Sequence, residues 1–294
     1  LWEAFNVTVI GNLDFYKEVQ ENGLTYDASK IQIPVRRNDV IVGWILAVPF
    51  INAGNYPSLK EDDCYSKRVF SFYNNLKDNL KYNLQYKENH SIVAMGHFMI
   101  SGVDSASQNK LTGGLESVVS TEMSAISGID YWAMGHVHHP QNVGGNIRYS
   151  GSPFAMTFNE IYPHSVTVVE IENHNVDIKI REIEPLVPVV DFPFKPNSYD
   201  DAPSKDELFA EIVKVLDNEC YVRLHVRTEM PLSDMDNARI QELFEGKNAK
   251  YGGIQAYFPV NESDCEEKAV RTLDEFRAIS PYELGCSVFK KKNN

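Results

Sequence analysis

The chain has 294 residues, with 28 Lys and Arg against 41 Asp and Glu, for a formal net charge of −13. Such an acidic balance excludes a polybasic, histone-like protein, whose phosphate contacts require a surplus of basic residues. With 43% hydrophobic and 23% charged residues the composition is globular, so disorder is excluded as the dominant state.

The longest nearly unbroken apolar run, residues 40–51, ends after twelve residues. A spanning helix needs about twenty, so no membrane segment is expected. The start Leu1-Trp2-Glu3-Ala4-Phe5 shows neither Met nor the basic-then-apolar design of a secretory signal, and the natural chain is expected to begin upstream. Cys64, Cys220, Cys265 and Cys286 are scattered without a C-x-x-C pair, which argues against a disulfide framework or zinc knuckle and for a reducing, cytoplasmic setting.

In chain order, residues 6–10 read as a short strand, and 31–35 and 40–50 as two more, joined by the polar turn Arg36-Arg37-Asn38-Asp39. Residues 62–89 carry apolar side chains at three- and four-residue steps and predict a helix. A buried strand follows at 91–95, then a Ser/Gly/Asn-rich loop at 101–114, a helix around 118–126 and a second buried strand at 131–134. Strands at 147–150, 165–171 and 176–183 complete this half, the last two flanking the turn Glu172-Asn173-His174-Asn175 as a hairpin.

Five prolines between Pro185 and Pro203 mark a domain junction, because helices and central strands do not tolerate that density. Beyond it an α+β pattern is expected: helix 205–216, strand 221–227, helix 234–244 and strand 253–258. The domains are thus 1–184, 185–265 and a charged tail at 266–294.

The tetrapeptide Ala-Met-Gly-His occurs twice, ending at His97 and at His136, each time closing an apolar strand. Strand carboxyl ends are where open α/β sheets place ligands. The second copy continues Val137-His138-His139-Pro140-Gln141, and in extended backbone His136 and His138 share a face. Neutral imidazole is the commonest metal ligand near neutral pH, so His97, His136 and His138 are candidate metal ligands. His139 is left open between ligand and structural roles. His90, His164, His174 and His225 are read as structural or exposed. Asp104, Glu116 and Glu160 are candidates to orient the imidazoles, read first as solvated loop residues.

Gly96-His97, Gly135-His136-Val137-His138 and the run Tyr149-Ser150-Gly151-Ser152-Pro153-Phe154 through Phe158-Asn159-Glu160 resemble the later motifs of calcineurin-like metallophosphoesterases. Within that superfamily, the stretch from Gly135 to Gln141 with its flanking runs resembles the D-subunit family of SbcCD-type nucleases. The resemblance implies an α/β metallophosphoesterase sandwich, incomplete at its amino end, followed by a small α+β capping domain and a partner-docking tail. It further implies that His97, His136 and His138 ligate a two-metal centre, usually manganese, with some of the ligands lying outside this chain. The implied activity is exonucleolytic and endonucleolytic hydrolysis of double-stranded DNA in repair, recombination and replication. The implied partners are an SbcC-like ATPase and a second D-type protomer. The family's early motifs D-x-H, G-D-x-x-D and G-N-H-D do not occur here: Gly11-Asn12-Leu13-Asp14 carries Leu13 where the histidine belongs. No catalytic residue is therefore assigned, and the chain alone is expected to be inactive. The alternatives are a metallophosphoesterase acting on nucleotides or phosphoproteins, and a non-catalytic interaction subunit.

Overall fold

The computed structural model describes residues 7–11, 16–20, 23–26, 28–51, 64–104, 118–122 and 126–259. The expected tail at 266–294, Glu116, the first residues of the 62–89 helix and most of the 101–114 loop lie outside the described residues. The chain divides into two compact units, residues 1–189 and 190–294.

The first unit opens with an antiparallel pair, β1 (Tyr16–Gln20) and β2 (Gly23–Tyr26). It centres on a six-stranded mixed sheet formed by β3 (Gln32–Arg37), β4 (Val40–Ala47), β5 (Ser91–His97), β8 (Tyr131–Gly135), β10 (Ile147–Tyr149) and β9 (Gln141–Gly144), in that spatial order. The interior strands β4, β5, β8 and β10 run parallel to one another, and antiparallel strands close both edges. Asn38 and Asp39 turn the β3–β4 corner with φ of 49° and 63°, a left-handed conformation that short amide and carboxylate side chains tolerate.

Register builds the core. Leu46 lies beside Ala94, Ala94 beside Trp132, and Trp132 beside Ile147, so one face presents a continuous apolar row. Helix α1 (Tyr65–Asn79) joins the same core through Val69, Phe72, Tyr73 and Leu76, all buried. Two polar bonds fix the helix against the strands: Tyr73 Oη donates to the Met95 carbonyl at 2.7 Å, and Gln32 Nε2 donates to the Leu76 carbonyl at 2.8 Å. Because strand side chains alternate, burying Ile92, Ala94 and Gly96 turns Met95 and His97 to the opposite, solvated face.

Beyond the sheet lies a parallel pair of two-residue strands, β6 (Met99–Ile100) and β7 (Val118–Val119), and the long hairpin β11 (Ser165–Glu172) and β12 (Asn175–Glu182). Asp130 ties the hairpin turn to the sheet. Its carboxylate accepts from the Ile92 backbone N–H at 2.7 Å and pairs with His174 Nδ1 at 2.8 Å.

In the second unit, β13 (Val189–Phe192), β14 (Tyr221–Arg227) and β15 (Lys250–Tyr257) form a three-stranded sheet. Helices α2 (Lys205–Glu211) and α3 (Asp234–Phe244) accompany it. Both begin with capping boxes, Ser204 with Glu207 and Ser233 with Asp236, in which two orphan backbone donors are satisfied reciprocally. Leu208, Ile212, Val222, Leu224, Val226, Ile240 and Phe244 form this unit's own core.

Several expectations change. Residues 7–10 form no strand, and Val7 and Val9 are exposed, with no partner strand among the described residues. Helix α1 gives way to a 3₁₀ turn at Leu80–Tyr82 because the apolar stripe ends there: Leu80 is fully buried while Tyr82 and Leu84 face water. The expected helix at 118–126 is replaced at its start by β7, whose β-branched pair Val118-Val119 suits strand pairing with β6. Strands β9 and β13, short and rich in polar or proline neighbours, escaped the sequence pattern. Among the described residues no helix is long and apolar enough to cross a membrane.

Candidate metal centre

Strands β5 and β8 are adjacent and in register, with His97 beside Gly135. This pairing brings the two Gly-His steps together, and the rings of His97 and His136 meet edge to face with centroids 5.3 Å apart. Phe50 closes on the other side of His97, edge to face at 5.7 Å. Gly135 makes the approach possible, since a Cβ there would stand 2.9 Å from His97 Nδ1. Gly96 is equally constrained: its Cβ would lie 2.6 Å from Phe98 and 2.8 Å from the Tyr73 hydroxyl.

His136 is not in extended backbone. Its φ of +95° is a region that L-residues rarely occupy, and such strain persists where surrounding structure enforces it. The simple alternation expected for His136 and His138 therefore fails at its first residue, although Val137 between them is buried as a strand residue would be. His136 and His97 are held below the ordinary histidine pKa. Desolvation at the crowded strand ends is the larger cause for each. Neighbouring imidazoles add to it: His138 for His97, and both His97 and His138 for His136. Near neutral pH both rings are thus uncharged and keep a lone pair on one nitrogen.

His138 is bound differently. Its Nδ1 lies 2.9 Å from Oε1 of Glu160, whose side chain is fully withdrawn from solvent. Glu160 also accepts from Ser152 Oγ at 3.0 Å and the Met156 backbone N–H at 3.2 Å. Burial alone would raise its pKa, but the bonds from His138, Met156 and Ser152 outweigh burial and hold the carboxyl below its ordinary range. Glu160 is therefore a buried, ionised partner of His138, where the sequence favoured a solvated loop residue. Its signal was a carboxylate twenty-two residues downstream in an irregular run, which no periodicity identifies.

Asp104 is brought to His139 at 3.0 Å, outside the trio, and His139 stacks on Tyr162 with centroids 4.4 Å apart. His90 accepts from the Trp44 indole at 3.1 Å, and His225 lies in the second unit, so neither joins the trio.

In donor type the three imidazoles fit a divalent transition metal. Among the described residues, however, no group of three or more His, Cys, Asp or Glu side chains is placed to hold one.

No known family model matches the chain. Four curated proteins do, each named as the D subunit of the nuclease SbcCD. That of Rhodobacter capsulatus is 29% identical over 154 residues, covering 49% of this chain and 38% of that protein. That of Staphylococcus saprophyticus is 33% identical over 102 residues, 34% of this chain and 27% of its own length. That of Bacillus subtilis is 24% identical over 209 residues, 67% and 49% respectively. The chain thus spans less than half the length of the curated relatives it matches. All four share one name, and the conclusion these comparisons support is that the chain is similar to SbcD subunits over part of its length.

Proposed function

We propose that this chain is the D component of an SbcCD-like nuclease, hydrolysing phosphodiester bonds of double-stranded DNA as exonuclease and endonuclease. The observation that carries the reading is the pairing of β5 with β8, which sets His97 and His136 ring to ring beside His138. His97, His136 and His138 donate to a two-metal centre, taken as manganese, whose other ligands come from outside the described residues. Such ions generate a nucleophile from water at neutral pH and offset charge on the phosphate. The chain's own residues keep two imidazoles neutral, hold the third against a carboxylate, and bring all three to one end of the sheet.

Residues 185–265 are assigned as a capping domain and the 266–294 tail as the docking element for an SbcC-like ATPase, with two SbcD-like chains pairing in the cytoplasmic complex. An acidic chain of this kind would meet DNA through the metals and its partner rather than through net charge. Without the family's D-x-H, G-D-x-x-D and G-N-H-D motifs, the 294 residues alone are expected to turn over no DNA.

The test is manganese-dependent cleavage of linear duplex DNA by the product of the complete reading frame together with its ATPase partner. Loss of cleavage on His136→Ala is expected. Cleavage that survives His136→Ala, or that is confined to small phosphodiesters, contradicts the proposal.

A further inference from the structure

We propose that Glu160 is a positioning residue that fixes His138 as the Nδ1–H tautomer, so that Nε2 is the nitrogen His138 gives to a divalent cation. This inference rests on the reading of His138 as a ligand and specifies which atom donates and what sets it.

The hydrogen-bond count leaves one arrangement. An ionised carboxylate only accepts, and Glu160 has its acceptor sites filled. Oε1 takes His138 Nδ1 at 2.9 Å and lies 3.5 Å from Thr157 Oγ1. Oε2 takes Ser152 Oγ at 3.0 Å and the Met156 N–H at 3.2 Å. His138 Nδ1 must therefore carry a proton, which leaves Nε2 as the nitrogen free to offer a lone pair.

The carboxylate cannot swing away, because Ser152 is itself held from three sides. Its backbone N–H donates to the His138 carbonyl at 3.0 Å, its own carbonyl lies 2.9 Å from His164 Nδ1, and its hydroxyl is committed to Glu160. A carbonyl only accepts, so His164 is also fixed with its proton on Nδ1. Gly151, at φ +82°, makes the turn that returns Ser152 to His138: a Cβ at Gly151 would strike the His138 carbonyl at 2.5 Å. His138, Ser152, Glu160 and His164 thus form one closed unit inside residues 138–164. Carboxylate partners of this kind raise ligand basicity and fix ring orientation, and their loss weakens metal affinity roughly 10- to 100-fold.

The experiment is a two-bond ¹⁵N–¹H correlation spectrum of the histidine side chains in the metal-free chain, followed by manganese titration calorimetry. His90 supplies an internal reference of opposite tautomer, since its Nδ1 accepts from the Trp44 indole and the Lys87 N–H. The wild-type spectrum is expected to show His138 protonated on Nδ1. In Glu160→Gln the His138 signals are expected to shift toward the Nε2–H form while those of His90 stay in place, because Ser152 Oγ and the Met156 N–H hold the amide oxygen and turn its NH₂ toward His138 Nδ1. Ser152→Ala, which removes one of the donors to Glu160, is expected to shift His138 partway. A wild-type His138 protonated on Nε2, or an unchanged His138 tautomer in a folded Glu160→Gln, overturns the inference.

Manganese affinity is expected to fall roughly 10- to 100-fold in Glu160→Gln. Unchanged affinity with a shifted tautomer overturns the donation through Nε2. If the wild-type chain shows the Nδ1–H tautomer yet its manganese binding is indifferent to His97→Ala, His136→Ala and His138→Ala, the ligand reading falls while the orienting role of Glu160 stands.

Discussion

At the scale of single residues, the candidate site is shaped by backbone positions that few side chains accept. His136 at φ +95° bears strain that glycine would not feel. His136→Gly and His136→Ala both remove the imidazole, but the glycine variant is expected to be more stable by about 1 kcal/mol, and equilibrium urea unfolding of the two checks it. Gly96→Ala forces a methyl between Phe98 and the Tyr73 hydroxyl and is expected to destabilise the first unit by about 1–3 kcal/mol, read from its melting curve. Gly135→Ala presses on the His97 ring instead, and a displaced His97 imidazole signal with a smaller stability loss is expected. The approach of His97 to His136 was legible in the residues themselves, since two copies of Ala-Met-Gly-His each close an apolar strand. The conformation of His136 and the burial of Glu160 were not legible, because each arises from how distant segments meet rather than from any local pattern.

At the scale of elements, polar ties decide which pieces hold together. Asp130 joins the start of β5 to the turn of the β11–β12 hairpin through Ile92 N–H and His174. Asp130→Ala leaves that buried amide without its acceptor, and a loss of about 1–3 kcal/mol is expected, together with faster hydrogen exchange at Ile92. In the second unit Asp191 bonds Arg223 at 2.7 and 3.2 Å and His225 at 2.7 Å, while Tyr257 closes the other side of the imidazole at 2.9 Å. Burial pushes the His225 pKa below its ordinary 6.5, and Arg223 and Lys195 push the same way against the opposing pull of Asp191. For Asp191, burial acts upward, but its bonds to Arg223 and His225 win and leave it below 3.8. Both folded values lie below the unfolded ones, so each group stabilises at higher pH and loses that contribution as pH falls. The midpoint of the second unit's unfolding, followed by its β14 amide signals, is expected to decline as pH drops below 6.5. That part of the decline is expected to vanish in His225→Gln, and a further fall is expected below 3.8. The long interior strands and the hairpin were readable because burial on one or both faces imposes its own periodicity. The two-residue pair β6–β7 was not, since two residues carry no period and their pairing joins segments nearly twenty residues apart.

At the scale of the whole molecule, two compact units each bury a separate apolar cluster, and the mixed α/β architecture followed from the alternation of apolar strands with one strongly amphipathic helix. What sequence resemblance adds is chemical: the proteins that this chain matches are named as nucleases, while the first unit's sheet sets the paired Gly-His steps side by side. The central claim is that His97, His136 and His138 donate to one metal centre. Its most direct test is the histidine side-chain NMR spectrum recorded while manganese is added in small increments, because the paramagnetic ion broadens signals of the rings it touches even at weak affinity. The imidazole signals of His97, His136 and His138 are expected to broaden together, well before those of His90 and His225. Uniform broadening of all the histidines, or earlier loss of His90 or His225, would contradict the claim.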